Sequence, residues 1–495
     1  MIKQISHMCI ICLLSVVLVF GTTPNQVSAT RIPDAQSEAI QSLLDEVSRA
    51  AGETGIAVAV RVGEEVQYYS TGYANRETSL SVDKDTLFEL ASVSKSFTAF
   101  GILLLAEQGL LSMDDPIQEY LPWFTLRYKG EPVDMGGVTL NHFLHHTSGL
   151  VNFNHFNMLP EGSGADMLQR TVEAYIDAEL AFAPGERYEY GTMNYDVLGQ
   201  VIAVVSGQSY EAFMREQVLD PLGLHDTYMY EQEAQLTERL AQGYISSFMV
   251  AFAVESPEYE GNKPAGYIIS CATDMQRWAD IHMGLADDIP PIYQRVAEKS
   301  HYADRSVPDS SGLYYAAGWM VDAEGTFIGH GGNNPNFSSD VQMYPQEQVS
   351  IVLLANSNQI NNAMPPTLAD SIKSILDGEL NQGYMPGMFM ILDRATTVVT
   401  IVGALLTILL VLLGTRRWKS RSQDPLPTKR KVLTAVWAVI TAFAVLLAIV
   451  LPGQMWGGGS WITALNLCYY SIITGLAALA LACGSATWFV FALRR

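Results

Sequence analysis

The first residues able to do chemistry are a serine and a lysine three positions apart, Ser92 and Lys95. They lie where a strand-like segment, 88–90, gives way to an apolar helix that begins near Phe97. Two side chains three apart at a helix start share one face, so the amine can reach the hydroxyl. Desolvation lowers the pKa of a buried lysine, which can then activate the serine as a nucleophile. Backbone N–H groups at the helix start would favour developing negative charge.

This spacing also has an ordinary explanation. Ser81 and Lys84 match it as well, yet they lie in a polar loop that no helix follows. Taken alone, Ser92 and Lys95 are therefore as compatible with a plain helix start as with a catalytic site.

Tyr190 lies in a second segment, 184–199, which is a turn leading into an apolar helix. A tyrosine in such a loop can present its phenol to the serine and lysine as a second proton carrier. The chain has 23 tyrosines, and a half-buried structural tyrosine is the usual interpretation for any single one.

A third segment begins with His330 at the end of a predicted strand and continues through two glycines to Asn333 and Asn334. The glycines, Gly331 and Gly332, would let a ligand backbone approach the strand edge, and the next N–H could complete an oxyanion hole. By itself, a glycine-rich hairpin is the simpler interpretation. A further segment, His-His-Thr-Ser-Gly-Leu at 145–150, is typical of a helix end closed by glycine, with structural roles for both histidines.

The elements that must position these residues follow from the periodicity of apolar residues. Strands at both ends of the region surround a helical middle, which indicates one sheet built from the two chain ends with a helical insert beside it. The predicted elements are a helix over 35–51, strands over 55–62 and 65–73, a mostly helical region over 88–223, strands over 312–322, 326–330, 337–344 and 349–355, and a helix over 368–376.

At the N-terminus, Lys3 precedes an apolar run over 8–20, and small residues at 27–29 fit a cleavage site. We predict a secretory signal over residues 1–29. An uncleaved anchor is the alternative, although the apolar run is shorter than the ~20 residues that span a bilayer.

The C-terminal fifth contains three apolar runs, each long enough to cross a bilayer, at 395–413, 432–451 and 461–493. The loop after the first run is basic, whereas the loop after the second has no charge. By the positive-inside rule, the basic loop and the C-terminus are cytoplasmic and the large domain is outside. We therefore predict an extracytoplasmic domain over 30–381, a linker over 382–394 and a membrane domain over 395–495, held at a bacterial cytoplasmic membrane.

Composition excludes several functions. The net charge is −22 and the membrane segment is basic, so the outer domain is strongly acidic and a poor partner for nucleic acid. Once the signal is removed, Cys271 is the one cysteine of that domain, which allows neither a disulfide within it nor a thiolate metal site. The nine histidines form no metallohydrolase motif. We predict no metal and no cofactor.

Together these segments resemble the class C β-lactamase and peptidase group, over roughly residues 35–380. The matching segments, in order, are Ser92-x-x-Lys95, the turn at 145–150, Tyr190 and His330-Gly331-Gly332. The resemblance implies an α/β (α+β) domain with an antiparallel sheet flanked by helices, a helical subdomain and a site in the cleft between them. Three transmembrane helices would follow.

Two departures from that group argue against efficient antibiotic hydrolysis. The usual Tyr-x-Asn is Tyr190-Gly191-Thr192 here, and the usual Lys-Thr-Gly is replaced by the histidine and two glycines at 330–332. The second replacement is common among the esterases and peptidases of the group.

A narrower resemblance covers nearly the whole chain. The signal, the outer domain, three spans and the segments 190–199 and 330–339 look like the colibactin-type prodrug-activating peptidases. That family removes an N-acyl-D-asparagine cap from a peptide or polyketide-peptide precursor as it leaves the cell. The resemblance implies that Glu89, Thr192 and Asn334 lie near the D-Asn amide, that the partners are this precursor and the bilayer, and that an exporter is a candidate partner.

The predicted reaction is amide hydrolysis through an acyl-enzyme on Ser92, with Lys95 as its base and Tyr190 as proton donor to the leaving amine. The N–H groups of Ser92 and Asn333, beyond Gly332, would hold the oxyanion, and His330 would orient the site. Two alternatives stay open. One is a D-amino-acid carboxypeptidase or esterase acting on cell-wall material, and the other is a non-catalytic receptor that binds β-lactams or peptides.

Overall fold

The computed structural model describes residues 31–151, 160, 162–229, 233–234, 237–255, 259–305, 312–358, 360, 367–380, 388–419, 428–456 and 470–492. The predicted signal at 1–29, residues 382–387 of the predicted linker, and residues 461–469 and 493 of the third predicted span lie outside these residues.

Strands and helices alternate from residue 34 to residue 376, and three long helices follow them. The strands are β1 (Ile56–Val62), β2 (Glu65–Thr71), β3 (Tyr73–Asn75), β4 (Leu80–Ser81), β5 (Phe88–Glu89), β6 (Leu126–Tyr128), β7 (Glu131–Pro132), β8 (Ala178–Glu179), β9 (Tyr244–Ser247), β10 (Val250–Ala253), β11 (Ile269–Ser270), β12 (Tyr314–Tyr315), β13 (Met320–Val321), β14 (Ile328–Asn333), β15 (Ser338–Tyr344) and β16 (Val349–Ala355). The helices are α1 (Asp34–Ala50), α2 (Ser94–Glu107), α3 (Leu140–Leu144), α4 (Met167–Glu173), α5 (Met193–Ser206), α6 (Tyr210–Met214), α7 (Asp220–Leu222), α8 (Lys263–Gly266), α9 (Ala272–His282), α10 (Pro291–Ser300), α11 (Leu368–Leu376), α12 (Met388–Lys419), α13 (Thr428–Trp456) and α14 (Tyr470–Ala492).

The main sheet has seven strands in the order β12-β13-β14-β15-β16-β1-β2, and every neighbouring pair is antiparallel. Strands from the two ends of the domain meet where β1 pairs with β16, with Val58 opposite Leu353. Since side chains alternate along a strand, β1 serves two cores. Val58 belongs to a core that includes residues of α1 and α11, whereas Ala57 and Ala59 belong to a larger core that includes residues of α2 and α9.

Helix α2 lies inside the larger core and is buried along nearly its whole length. It packs against α5, α8 and α10, and its Phe97 ring stacks on Trp278 with centroids 4.2 Å apart. A helix buried on all sides carries apolar residues all round, which explains the mostly apolar run from Phe97 to Leu105. Ser92 thus lies just before an enclosed helix, and Lys95 lies in its first turn.

Helices α12, α13 and α14 are long and apolar enough to span a membrane. Helix α14 packs against both of the others, and Gly403 of α12 faces the Ala478 backbone closely. Small residues at such contacts let membrane helices approach one another. Helix α12 begins at Met388, so residues 388–394 of the predicted linker are helical.

The predicted fold class is confirmed: an antiparallel sheet flanked by helices, a helical region beside it and three apolar C-terminal helices. Within the helical region over 88–223 the chain also forms the short strands β6, β7 and β8. Between residues 244 and 300 the structure has a hairpin and three helices that the sequence pattern does not predict.

Candidate active site

Ser92 lies in a single 3₁₀ turn, Ala91–Val93, and Lys95 follows in the first turn of α2. The Lys95 amine donates to Ser92 Oγ at 3.2 Å and to the Ala265 carbonyl at 2.6 Å. Lys95 is fully buried, and burial lowers its pKa to about 7, although attraction to Asp196 raises it. At neutral pH a large fraction of the amine is therefore neutral and can accept the serine proton.

The turn that contains Ser92 is held in place by hydrogen bonds to the residue before it, Leu90. Ala91 has a positive φ of 47°, an uncommon conformation for a residue with a side chain. The Leu90 N–H donates to the Ile268 carbonyl at 2.8 Å, and Ser339 Oγ donates to the Leu90 carbonyl at 2.6 Å. A Cβ on Gly332 would come within 2.4 Å of that same carbonyl. The glycine therefore lets strand β14 lie directly against the serine turn.

Tyr190 lies beside Lys95. The Lys95 amine is 5.1 Å from the centroid of its ring, a cation–π distance. The Tyr190 hydroxyl is buried, and within the described part of the chain no atom meets the distance and angle of a hydrogen bond to it. The side chains of Ser92 and Thr192 nevertheless lie close enough to lower its pKa. Burial outweighs them and raises that pKa, so the phenol keeps its proton at neutral pH. A protonated phenol beside the nucleophile can pass its proton to a group that leaves the substrate.

His330 lies on β14 and is buried. Its Nε2 is 3.2 Å from the Tyr315 hydroxyl and its Nδ1 is 2.7 Å from the Gly331 carbonyl. Burial, assisted by the nearby Lys95 charge, lowers the pKa of His330 to about 4, so the ring is neutral at neutral pH. Because both ring nitrogens have hydrogen-bonding partners, the neutral imidazole has a fixed orientation and could orient the neighbouring residues of the site.

Glu89 and Asn334 are brought together. The Asn334 amide donates to Glu89 Oε2 at 2.6 Å and to the Gly266 carbonyl at 3.0 Å. Glu89 is 6% exposed and lies three residues before Ser92. Thr192, the third predicted substrate residue, lies instead on the Tyr190 side of the site. Asn333 is the last residue of β14, and it is exposed.

The chain from 40 to 370 matches the family model described as Beta-lactamase. This chain belongs to the β-lactamase family. The family-matched region contains the serine, the lysine, the tyrosine and the histidine described above. Membership of this family identifies the chain as a serine hydrolase of the β-lactamase and penicillin-binding-protein type.

One protein with a similar sequence and two solved structures with a similar fold can be compared with this chain. Protein flp of Staphylococcus aureus is 25% identical over 399 residues, which are 79% of this chain and 77% of that protein. The octameric penicillin-binding-protein homologue from Pyrococcus abyssi has a TM-score of 0.60 at 24% identity, over 73% of this chain and 81% of that one. The β-lactamase/D-alanine carboxypeptidase from Pseudomonas syringae has a TM-score of 0.57 at 22% identity, over 69% and 98%.

Several residues of this β-lactamase-type site were not predicted. The His146 ring lies 4.3 Å from the Tyr190 ring, and its Nδ1 accepts from the Gly191 N–H at 3.3 Å. The Asn194 amide nitrogen is 3.1 Å from the same Nδ1, so these two residues brace the tyrosine loop. The Tyr190-x-x-x-Asn194 spacing is the sequence signal that could have shown this. Their structural role agrees with the one predicted for the 145–150 segment.

The Ala265 carbonyl, which accepts a hydrogen bond from Lys95, was also not predicted. It lies in α8, a buried four-residue helix whose Pro264 carbonyl accepts a 2.6 Å hydrogen bond from Thr98. No local sequence signal identifies it, because its position depends on tertiary packing. Among the residues that the structure describes, no group of three histidine, cysteine or acidic side chains is placed to hold a metal ion.

Proposed function

We propose that this membrane-bound serine peptidase removes an N-acyl-D-asparagine cap from a secreted peptide or polyketide-peptide precursor. The observation that carries the proposal is the buried polar pair of Glu89 and Asn334 beside the serine turn. A buried carboxylate and a primary amide next to the nucleophile are complementary to a carboxamide side chain.

The chemistry of this pair favours an amide over an apolar side chain. The Asn334 amide nitrogen is used by Glu89 and Gly266, which leaves its Oδ1 oriented to accept from a substrate N–H. Carboxylates and hydroxyls both form hydrogen bonds with carboxamides, and we assign this role to Glu89 and Thr192. A site built to hydrogen-bond a polar group rejects analogues that lack it, because its own buried polar groups are then unpaired.

The reaction proceeds through an ester on Ser92. Its Oγ attacks the D-Asn carbonyl carbon while Lys95 takes the hydroxyl proton, and backbone N–H groups of Ser92 and Asn333 stabilise the oxyanion. Tyr190 donates a proton to the amine as the C–N bond breaks. Water then attacks the ester, and the products are an N-acyl-D-asparagine with a free carboxylate and the uncapped amine.

Three apolar helices bring this site to a bilayer, where an acylated substrate would partition. We place the catalytic domain on the extracytoplasmic side and the C-terminus in the cytoplasm, so that the precursor is uncapped as it leaves the cell. An exporter that delivers the precursor is the candidate protein partner.

The test is mass spectrometry of the full chain in bilayer nanodiscs incubated with myristoyl-D-asparaginyl amides, their L-Asn and D-Ala analogues, and a Ser92→Ala variant. Cleavage confined to the D-Asn compounds and lost in Ser92→Ala supports the proposal. Equal cleavage of the D-Ala compounds would favour the cell-wall carboxypeptidase or esterase alternative. Binding without a mass increase on Ser92 would favour the receptor.

Substitutions of Glu89 and Asn334 test recognition of the D-Asn side chain separately from the catalytic residues. We expect Glu89→Gln and Asn334→Leu to reduce kcat/KM for D-Asn compounds far more than for a simple ester substrate. Glu64→Gln, at an exposed glutamate between β1 and β2, is the control and should change neither. An equal loss on both substrates would show that the pair supports the nucleophile rather than recognising the amide.

A further inference from the structure

The hairpin of β9 and β10 ends in a strained two-residue turn. Its residues, Phe248 and Met249, have φ angles of 57° and 59°. Two-residue hairpin turns of this kind usually contain asparagine or glycine, because a larger side chain disfavours positive φ. A partner outside the hairpin must therefore stabilise this turn.

That partner is Asp393. Its Oδ1 accepts from the Phe248 N–H and its Oδ2 from the Met249 N–H, each at 2.8 Å. Asp393 is 3% exposed and lies near the start of α12, three residues into the candidate span that begins at Met390. One carboxylate thus joins the turn to the first membrane helix.

A second hydrogen bond joins the hairpin to another membrane helix. The Ser471 N–H, in the first turn of α14, donates to Ser247 Oγ at 2.8 Å, and Ser247 is fully buried. Because α12 and α14 pack together, the hairpin spans the adjacent ends of two candidate spans. Residues 248–252, the tip of the hairpin, are therefore held beside the first turns of these two helices.

The tip is apolar and exposed. Met249, Val250 and Phe252 are 55%, 47% and 43% exposed, and residues 244–253 contain no charged side chain. Ile391 of α12, two residues before Asp393, is also apolar and 54% exposed. Such a surface is costly in water and favourable among lipids.

We propose that the tip of the β9–β10 hairpin inserts into the lipid bilayer and forms a membrane contact additional to the three spans. Insertion depends on apolar side chains, so it needs no anionic lipid. The stem of the hairpin also reaches the active-site loop: the Asn336 amide donates to the Val254 carbonyl at 3.1 Å. The contact therefore fixes the height and tilt of the cleft above the membrane.

The test places a nitroxide at Phe252→Cys in the full chain, with its own cysteines replaced by serine, in vesicles of phosphatidylcholine alone. Paramagnetic resonance then compares its collisions with oxygen, which concentrates in lipid, and with a water-soluble nickel complex. We expect oxygen collisions to dominate at 252. Leu110→Cys, at a leucine 55% exposed after α2, is the water-exposed control.

Equal nickel accessibility at 252 and 110 would overturn the proposal. Spin–spin broadening at 252 would also overturn it, because it would indicate a second copy of the chain at the tip. Asp393→Asn removes one of the two acceptors for the turn, and we expect greater mobility of the 252 label. Unchanged mobility would show that Asp393 does not hold the tip.

Discussion

At the scale of single residues, the site depends on how burial sets the protonation of three groups. Burial lowers the pKa of Lys95 to about 7, lowers that of His330 to about 4 and raises that of Tyr190. At neutral pH the histidine is neutral, the phenol is protonated and the amine can lose its proton. One base and one acid are thus available beside a single serine.

We expect the rate of Ser92 acylation to rise with pH and to level off above a midpoint near 7. The protonated amine cannot accept the serine proton, so activity is lost as pH falls through the pKa of Lys95. Single-turnover acylation followed by quenched mass spectrometry between pH 5 and pH 9 measures this profile, at ~0.5-unit steps. A rate that stays flat between pH 5 and pH 9 would contradict the assignment to Lys95, because it would place the controlling pKa outside that range.

Asp196 is the buried carboxyl whose ionised form opposes the loss of the Lys95 proton, while burial raises the pKa of Asp196 itself well above its usual value. It accepts from the Tyr175 hydroxyl at 2.9 Å, and Asn262 can donate to both of its oxygens at 2.9 Å. Asp196→Asn removes the charge that raises the lysine pKa, so we expect the acylation midpoint to move to lower pH. Asp274→Asn, at another buried aspartate, is the control and should leave the midpoint unchanged. An unshifted midpoint in Asp196→Asn would contradict the assignment.

At the scale of elements, the position of the nucleophile depends on strand β14, which lies directly against the serine turn. Gly332 permits this approach, and Ser339 on the neighbouring strand β15 ties the turn through the Leu90 carbonyl. Strand β14 and the turn before α2 therefore form one unit. A small shift of this strand would move Ser92.

Gly332→Ala should damage both stability and catalysis. Its Cβ would lie 2.3 Å from Ser339 Oγ and 2.4 Å from the Leu90 carbonyl, so the strand or the turn must move. Overpacking of this kind costs about 1–3 kcal/mol. Urea unfolding and acylation kinetics measure the two effects. Gly137→Ala, where a Cβ would meet nothing within 4 Å, is the control. A fully active, equally stable Gly332→Ala would refute the close-approach argument.

The sequence predicted best the elements whose signals are local. Helix α11 forms over the predicted 368–376, since Thr367 and Asp370 make a capping box at its start. Strands β15 and β16 also lie within about one residue of the predicted bounds, because apolar, β-branched runs specify buried strands. Helix α8 could not be predicted, since four residues with a proline and a glycine have little preference until Thr98 packs on them. The Glu89–Asn334 contact joins residues 245 apart, beyond any local pattern.

At the scale of the whole molecule, the chain combines an acidic hydrolase domain with a basic membrane segment. The net charge is −22, while Arg416 and Arg417 near the end of α12 and Lys429 at the start of α13 are basic. Asp393 and Ser471 tie the two parts together, so the orientation of the spans also decides which side of the membrane the active site faces. The side on which the enzyme works is therefore a property of the spans rather than of the site.

We predict that the basic loop is cytoplasmic and the hydrolase domain is outside. A membrane-impermeant maleimide should label Glu64→Cys, at an exposed position between β1 and β2, in intact cells. Ser422→Cys in the basic loop should react only after the cells are opened, and the unsubstituted chain gives the background. Labelling of Ser422→Cys in intact cells would invert the topology. The active site would then face the cytoplasm, and the proposed removal of the cap during export would be wrong even if the D-Asn specificity were correct.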